Sequence, residues 1–466
     1  MQRLISQLVS DHHPILLDCG ASSRGKCEFR FENMWLQVPG FVDKVHSWWE
    51  MYRFMVSSSF VLFMKLNQLK CDLKKWNKEI FGEIVMQKSR ALCELSWLEL
   101  KEESGLNDEE IRSRDELKIG IEKIVQVEEM SWRQNSRTHC LKEGDGNTKS
   151  FYRLSNSHRQ AKYIGSLEVD GLMLMEESEI KDGIVAFYKN LYKETVETCP
   201  KMNGFEFSTL GKEDREWLER VFEEDEVFSV LKSMNGNETP GPDGFTIAFF
   251  QKCWGVIKED VMRFLHEFHM GGTFEKSLNA SFIALVPKKP SASNIEDFSP
   301  ISLVGSFYKI LTKVLANRLR SVVGKLVSDS QNAVARGRHI LDSVLIANEC
   351  LESRVQSNLP GLIFKVNIET YDHVCWESLL YLLGRYGFGG RWRRWIQMCI
   401  SSVSFSVLVN GIPSSFFSSP RGLRQEDPLS SLLLILIMEL LSSMIDKAVK
   451  QGMMTGFKIE EGMVML

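Results

Sequence analysis

Apolar residues hold a helical period through the first third of this chain. From about Gly40 to Val127, Trp48, Trp49, Tyr52 and Phe54, then Leu66, Leu69, Leu73 and Trp76, recur with charged residues between them, which predicts long antiparallel helices. Asn107 ahead of Asp108, Glu109 and Glu110 predicts the N-cap of a second long helix, since acidic side chains suit the exposed N–H groups of a first turn. A linker is expected near Cys199–Gly211, followed by an acidic helix start. The stretch "NGNETPGPDGF" packs two Pro and three Gly into eleven residues and predicts a tight loop. Behind it, Phe249, Phe250, Trp254, Ile257, Val261 and Leu265 mark one face of an amphipathic helix from Phe245 to Phe268.

From Ser281 onward the pattern changes. "SFIALVPKK" predicts a strand, 307–327 and 339–355 predict helices, and "GLIFKVN" predicts a short buried strand ending at Asn367. Helices are expected from Trp376 and Arg391, a hairpin in "FSVLVNGIPSSFF", and a long helix from Pro428 to about Val449. Strands and helices alternating irregularly predict an α+β fold with a small central sheet.

Composition adds limits. With 44% hydrophobic and 25% charged residues in 466, the chain reads as globular. Its net charge of −4 gives no global basic field, so any nucleic-acid signal must be local. Such a signal stands at Ser131 to Lys162, where seven Lys/Arg against two acids interleave with Trp132, Phe151 and Tyr152. Ten scattered cysteines without metal-ligand spacing predict free thiols, with neither a zinc site nor a disulfide framework. The run Leu432 to Met438 is too short for the roughly 20 residues of a bilayer span, so no membrane partner is expected.

The polar cluster at the tip of the "GLIFKVN" strand raises the chemical question. Asn367, Glu369, Tyr371 and Asp372 stand where many folds place a catalytic metal ligand, yet Asn367 is an amide, which coordinates weakly.

Five ordered blocks answer it: "NGNETPGPDGFTIAFFQKCW", "FIALVPKKPSASNIEDFSPISLVGSFYKILTKVLANRL", "DSQNAVARGRHILDSVLIANE", "KVNIETYDHVCW" and "VLVNGIPSSFFSSPRGLRQEDPLS". In order and spacing they resemble a non-LTR (LINE-type) retrotransposon reverse transcriptase. The region 27–215 resembles the helical extension before the polymerase in such elements, and "VSDHHPILL" resembles the last motif of their endonuclease. The resemblance implies three parts: an endonuclease remnant at 1–26, a helical extension at 27–215 with its basic segment at 131–162, and right-hand polymerase fingers with a partial palm at 216–466. It also implies an RNA-directed DNA polymerase using Mg²⁺, an RNA template and a DNA primer, inside the cell in nucleus or cytoplasm. Nothing in the pattern fixes an oligomeric state.

Carried over residue by residue, the resemblance makes Asn367 the position of a metal-binding Asp and Tyr371 the aromatic screen at the sugar 2′-position. Gln425 keeps its identity in the catalytic block. Lys288, Lys289, Ser299, Arg336, Arg338, Arg424 and Glu426 fall at nucleotide or template positions, with Ser299 replacing an Arg and Glu426 replacing a Gly. Arg133, Arg137, Lys149, Arg153 and Arg159 are the candidate nucleic-acid cations, and Asp11 and His12 correspond to the endonuclease remnant. One residue is missing between Asn367 and Tyr371, which turns side chains to the wrong face of a strand unless the backbone bulges. No Asp-Asp pair occurs in the 466 residues, and the chain is expected to stop before the hairpin that bears it. The expectation is therefore a polymerase-family chain without an intact metal site and without polymerase activity; the alternative is a non-catalytic RNA-binding protein. Asp427, which could look catalytic, is expected to cap a turn.

Overall fold

The computed structural model describes residues 2–4, 15–17, 28–102, 107–136, 163–193, 204–205, 207–328, 340–357, 371–453, 457–458 and 464–465. Two short strands, β1 (Gln2–Leu4) and β2 (Ile15–Leu17), pair antiparallel at the start. Helices α1 (Phe41–Met51), α2 (Ser58–Glu102) and α3 (Asp108–Ser136) follow. The predicted cap at Asn107 is present: its Oδ1 accepts from Glu110 N at 2.8 Å while Glu110 Oε2 accepts from Asn107 N at 3.1 Å. At the far end of α3, Gln134 bonds both Asn33 N and the Phe31 carbonyl, each at 2.9 Å.

Next come the hairpin β3 (Leu167–Val169) and β4 (Leu172–Leu174), then α4 (Glu177–Leu191), α5 (Lys212–Leu218) and α6 (Glu224–Ser233). The helix expected over 245–268 is two helices, α7 (Ile247–Lys252) and α8 (Trp254–Gly271), broken at Cys253. Both halves bury their aromatic faces in the same core, so the apolar period survives the break. Strand β5 (Ala280–Pro287) turns into β6 (Phe298–Val304), which feeds α9 (Ser306–Val323). Then come α10 (Ile340–Ser357), α11 (Trp376–Arg385) and α12 (Gly390–Ser401). Strands β7 (Ser404–Val409), β8 (Ile412–Pro413) and β9 (Phe417–Ser418) lead to α13 (Ser430–Lys450), and β10 (Phe457–Lys458) pairs with β11 (Val464–Met465).

The mixed architecture is the α+β one expected. The central sheet runs β6-β5-β7-β8, with β5–β6 antiparallel, β5–β7 parallel, and β9 also pairing β7. Asn410 and Gly411, at φ 52° and 84°, make the two-residue hairpin turn that an Asn-Gly pair favours. One continuous core runs from Phe31, Trp35 and Leu73 in the N-terminal region to Phe249, Leu315, Trp392 and Leu436. A second core lies between α4, β3 and the other face of the sheet, around Ile184, Val407 and Phe405.

At the middle of the first core sits Arg318, fully buried. Its guanidinium meets both oxygens of Glu226 at 2.9 and 2.6 Å and donates to the carbonyls of Leu218, Arg220 and Val221. Every donor finds a partner, so the charge is tolerated in the interior.

The expectation of free thiols holds for Cys71, Cys93, Cys253, Cys350 and Cys399 but is corrected at Cys375, which is disulfide-bonded. No helix among the described residues is long and apolar enough to cross a membrane.

Candidate functional site

The turn that leads into α13 is built around a buried ion pair. Arg424 Nη2 lies 2.8 Å from Asp427 Oδ2, and Asp427 Oδ1 accepts from Leu429 N at 3.0 Å. Arg424 Nη1 also donates to Asn279 Oδ1 at 2.5 Å and Ser281 Oγ at 3.0 Å, and the guanidinium lies 4.2 Å from the Tyr308 ring centroid. Asp427 thus caps the turn, as expected from its sequence context, and both its oxygens are used. Gln425 stands half-buried between Arg424 and the exposed Glu426.

Glu426 has φ +66°, a left-handed conformation that costs an L-residue about 1–2 kcal/mol and suits glycine. The positive φ accords with the Gly that the resemblance leads one to expect at this position.

Tyr371 is held beside this turn by main-chain bonds. Leu423 N donates to its carbonyl at 2.6 Å, Gly422 N donates to the Val374 carbonyl at 2.8 Å, and the Trp376 indole donates to the Gly422 carbonyl at 2.7 Å. The approach depends on Gly422, at φ +89°, where an added Cβ would meet the Asp372 backbone at 3.1 Å. Asp372 is anchored in turn by the Tyr192 hydroxyl at 3.1 Å. Burial, and then the Glu426 carboxylate, push the Tyr371 phenol above its ordinary range.

Tyr371 and Glu426 share a cleft of about 840 Å³ with the α6–α7 loop, Ile301 to Leu303 of β6, Pro428 and three cations of α9. Those cations, Lys309, Lys313 and Arg320, were not singled out in the sequence; their spacing along one helix face is the signal that could have found them. Lys309 pairs with Glu238 at 2.6 Å, and Arg320 donates to Asn317 Oδ1 at 3.1 Å. Desolvation, then the Arg320 charge, hold the Lys313 ammonium below its ordinary range, with Glu238 opposing. Three carboxylates, Glu238, Glu426 and Asp427, also line the cleft; Glu238 is paired with Lys309 and Asp427 with Arg424, so Lys313 and Arg320 are the lining cations that face Glu426 and could meet an anion.

Lys288, Lys289 and Ser299 lie at the β5–β6 hairpin. Lys288 Nζ donates to the Glu296 carbonyl at 3.0 Å, and Lys289 Nζ lies 2.9 Å from Asp297 Oδ1, holding that carboxyl below the usual range. Ser299 pairs in register with Val286 and shares the strand face of Ile301 and Leu303, which line the cleft. The cleft therefore gathers Tyr371 and Glu426, with Ser299 on its bordering strand, whereas Arg424 lies beneath it.

Asn367, Arg336, Arg338, Arg137, Lys149, Arg153, Arg159, Asp11 and His12 lie outside the described residues, and Arg133 lies in the last turn of α3. Among the described residues no three His, Cys, Asp or Glu side chains gather to hold a metal ion. With Asp427 bonded to Arg424 and Glu238 to Lys309, the described donor set does not fit the hard-oxygen cage that Mg²⁺ requires.

Comparison with known proteins gives a consistent result. Residues 286–459 match the reverse transcriptase (RNA-dependent DNA polymerase) family. The chain is 27% identical over 447 residues to the uncharacterized 149 kDa protein of transposon TX1 from Xenopus laevis, covering 92% of this chain and 34% of that protein. It is 24% identical over 204 residues to the retrovirus-related Pol polyprotein from type-2 retrotransposable element R2DM of Drosophila melanogaster, covering 44% of this chain and 19% of that protein. The Pol polyprotein from type-1 retrotransposable element R2 of Popillia japonica is 23% identical over 229 residues, 48% of this chain and 31% of that protein. The chain thus spans about a third or less of the length of these relatives.

Proposed function

We propose, from the premise that this chain is a reverse-transcriptase domain protein of the non-LTR retrotransposon kind, that its cleft is the nucleic-acid groove of a right-hand polymerase that no longer polymerises. In this reading residues 216–466 are fingers and partial palm, 27–215 a helical extension whose basic segment at 131–162 adds RNA contacts, and 1–26 an endonuclease remnant. The β5–β6 hairpin and α9 form the fingers' side of the groove, and Tyr371 with the Gln425–Glu426 turn forms the palm's side. The observation that carries the reading is the meeting of Tyr371, Glu426, Lys313 and Arg320 in one cleft, although they come from three separate stretches of the sequence.

Lys313 and Arg320 would neutralise backbone phosphates of a bound strand. Lys288 and Lys289 flank the groove at the hairpin tip. Arg424 acts from below, fixing the turn that carries Gln425 and Glu426. Two substitutions oppose catalysis. Asn367 offers an amide where two-metal nucleotidyl transfer needs a carboxylate, and Glu426 sets a negative charge where phosphates would lie.

Primer extension on an RNA template with Mg²⁺ or Mn²⁺ tests this. The expected result is salt-sensitive RNA binding without template-dependent extension; extension by the purified chain would overturn the inactivity, and absence of RNA binding would overturn the groove.

A further inference from the structure

Away from the cleft, helix α12 has an unusual solvent face. Its exposed residues are Gly390, Arg391, Arg393, Arg394, Gln397 and Ser401, with no acid among them, while Trp392, Trp395, Ile396 and Cys399 are buried behind. Among the described residues none of the three arginines forms an ion pair with a carboxylate. Arg391 Nη1 lies 3.4 Å from His269 Nε2, which is no counter-charge. The Arg393 guanidinium packs over Gly384 in the last turn of α11, 3.2 Å from the point a side chain there would occupy, and the Arg394 stem packs over Gly272, the C-cap of α8, 3.3 Å from the same point. Glu219 is at this corner, but its Oε1 is already engaged by Trp392 N at 2.8 Å.

Three guanidinium groups thus stand close together on one exposed helix face, and the nearby Glu219 carboxylate is engaged by the helix N-terminus and not by any of them. An external polyanion would relieve their mutual repulsion. The face has no apolar side chain to serve as the buried anchor of a protein interface. Guanidinium forks, by contrast, match phosphate oxygens in pairs and tolerate any base sequence.

We infer that the solvent face of α12 is a second nucleic-acid docking surface, at which Arg391, Arg393 and Arg394 grip the phosphodiester backbone of a strand. It does not depend on the cleft reading. Contact with three phosphates of a single strand contributes about 2 to the slope of log affinity against log salt.

The test is fluorescence anisotropy of the full chain with a labelled single-stranded RNA across a series of KCl concentrations. The triple change Arg391→Gln, Arg393→Gln and Arg394→Gln is expected to weaken binding at least tenfold at moderate salt and to lower the slope by about 2, while the triple change to Lys restores most of both. Near-ultraviolet circular dichroism checks folding; should the triple variant not fold, Arg394→Gln alone is expected to lower the slope by about 0.7. Unchanged affinity and slope overturn the proposal. So does displacement of the RNA by polyglutamate at equal charge, which marks a surface for acidic protein. Lys313→Gln with Arg320→Gln, measured in parallel, separates the two sites: loss there with no loss in the α12 variant overturns this inference and leaves the cleft, and the reverse supports this inference and removes the cleft.

Discussion

Arg424 and Asp427 form a buried ion pair at 2.8 Å, three residues apart, in the turn that carries Gln425 and Glu426. Arg424 Nη1 is bonded to Asn279 and Ser281 and Asp427 Oδ1 to Leu429 N, so both side chains are committed to the turn. Removing one partner leaves an uncompensated buried charge. Asp427→Ala is expected to cost about 3–5 kcal/mol in urea unfolding, and Arg424→Met with Asp427→Leu together less than the two single changes summed. If the double variant equals the sum, the pair is not acting as a unit.

Glu426→Gly is expected to stabilise the fold by about 1 kcal/mol, because the +66° φ is then unstrained. The same change removes an anion from the cleft, so RNA should bind more tightly at low salt. The Tyr371 phenol should titrate lower than in the parent yet stay above its ordinary range, since burial is the larger cause. Spectrophotometric pH titration reads this directly, and an unmoved Tyr371 would separate it from Glu426.

Asp243 supplies a pH signature. Its Oδ2 accepts from Phe307 N at 3.2 Å at the start of α9, its Oδ1 is sealed from solvent without a partner, and burial pushes the carboxyl up to about 6 despite the Lys70 ammonium. A carboxyl raised in the folded state favours folding while protonated. That stabilisation is full below the ordinary value of 3.8 and is lost as pH rises through about 6. The loss is on the order of 3 kcal/mol by pH 7. Asp243→Asn is expected to abolish this slope, so the variant gains on the parent between about pH 4 and pH 7 in denaturant titrations. Parallel curves for the two proteins would refute the assignment.

Asn367→Asp in this chain is expected not to yield primer extension. One carboxylate does not make a two-ion site, the sequence between Asn367 and Tyr371 is one residue shorter than the pattern it resembles, and no Asp-Asp pair occurs in the 466 residues. Extension by that single variant would show that the missing carboxylates are dispensable.

The periodic parts of the fold were legible in advance: the Asn107 cap, the helices over 306–323 and 390–401, and the Asn410–Gly411 hairpin all follow from local chemistry. What depends on distant partners was not. An arginine in a turn reads as exposed, and nothing nearby announces that Arg424 will meet Asn279 and Ser281 more than a hundred residues away. The same holds for Arg318 and Glu226. Lys309, Lys313 and Arg320 read as a solvated helix face until β6 and the Tyr371 segment close a cleft over them. The left-handed backbone at Glu426 is signalled only through the resemblance, which sets a Gly there; the glutamate itself gives no sign of it.

The parallel pairing of β5 with β7 has a consequence for how the chain is made. Ala280 lies beside Ser404, so the centre of the sheet cannot close until roughly 120 further residues have been synthesised. At about 5–20 residues per second that interval is on the order of 10 s. During it β5 has only β6 for company, and its other edge offers unpaired N–H and C=O groups to any neighbouring chain. Newly made copies on one messenger are therefore the nearest competitors for β5, and their yield of folded protein should depend on how far apart the ribosomes run.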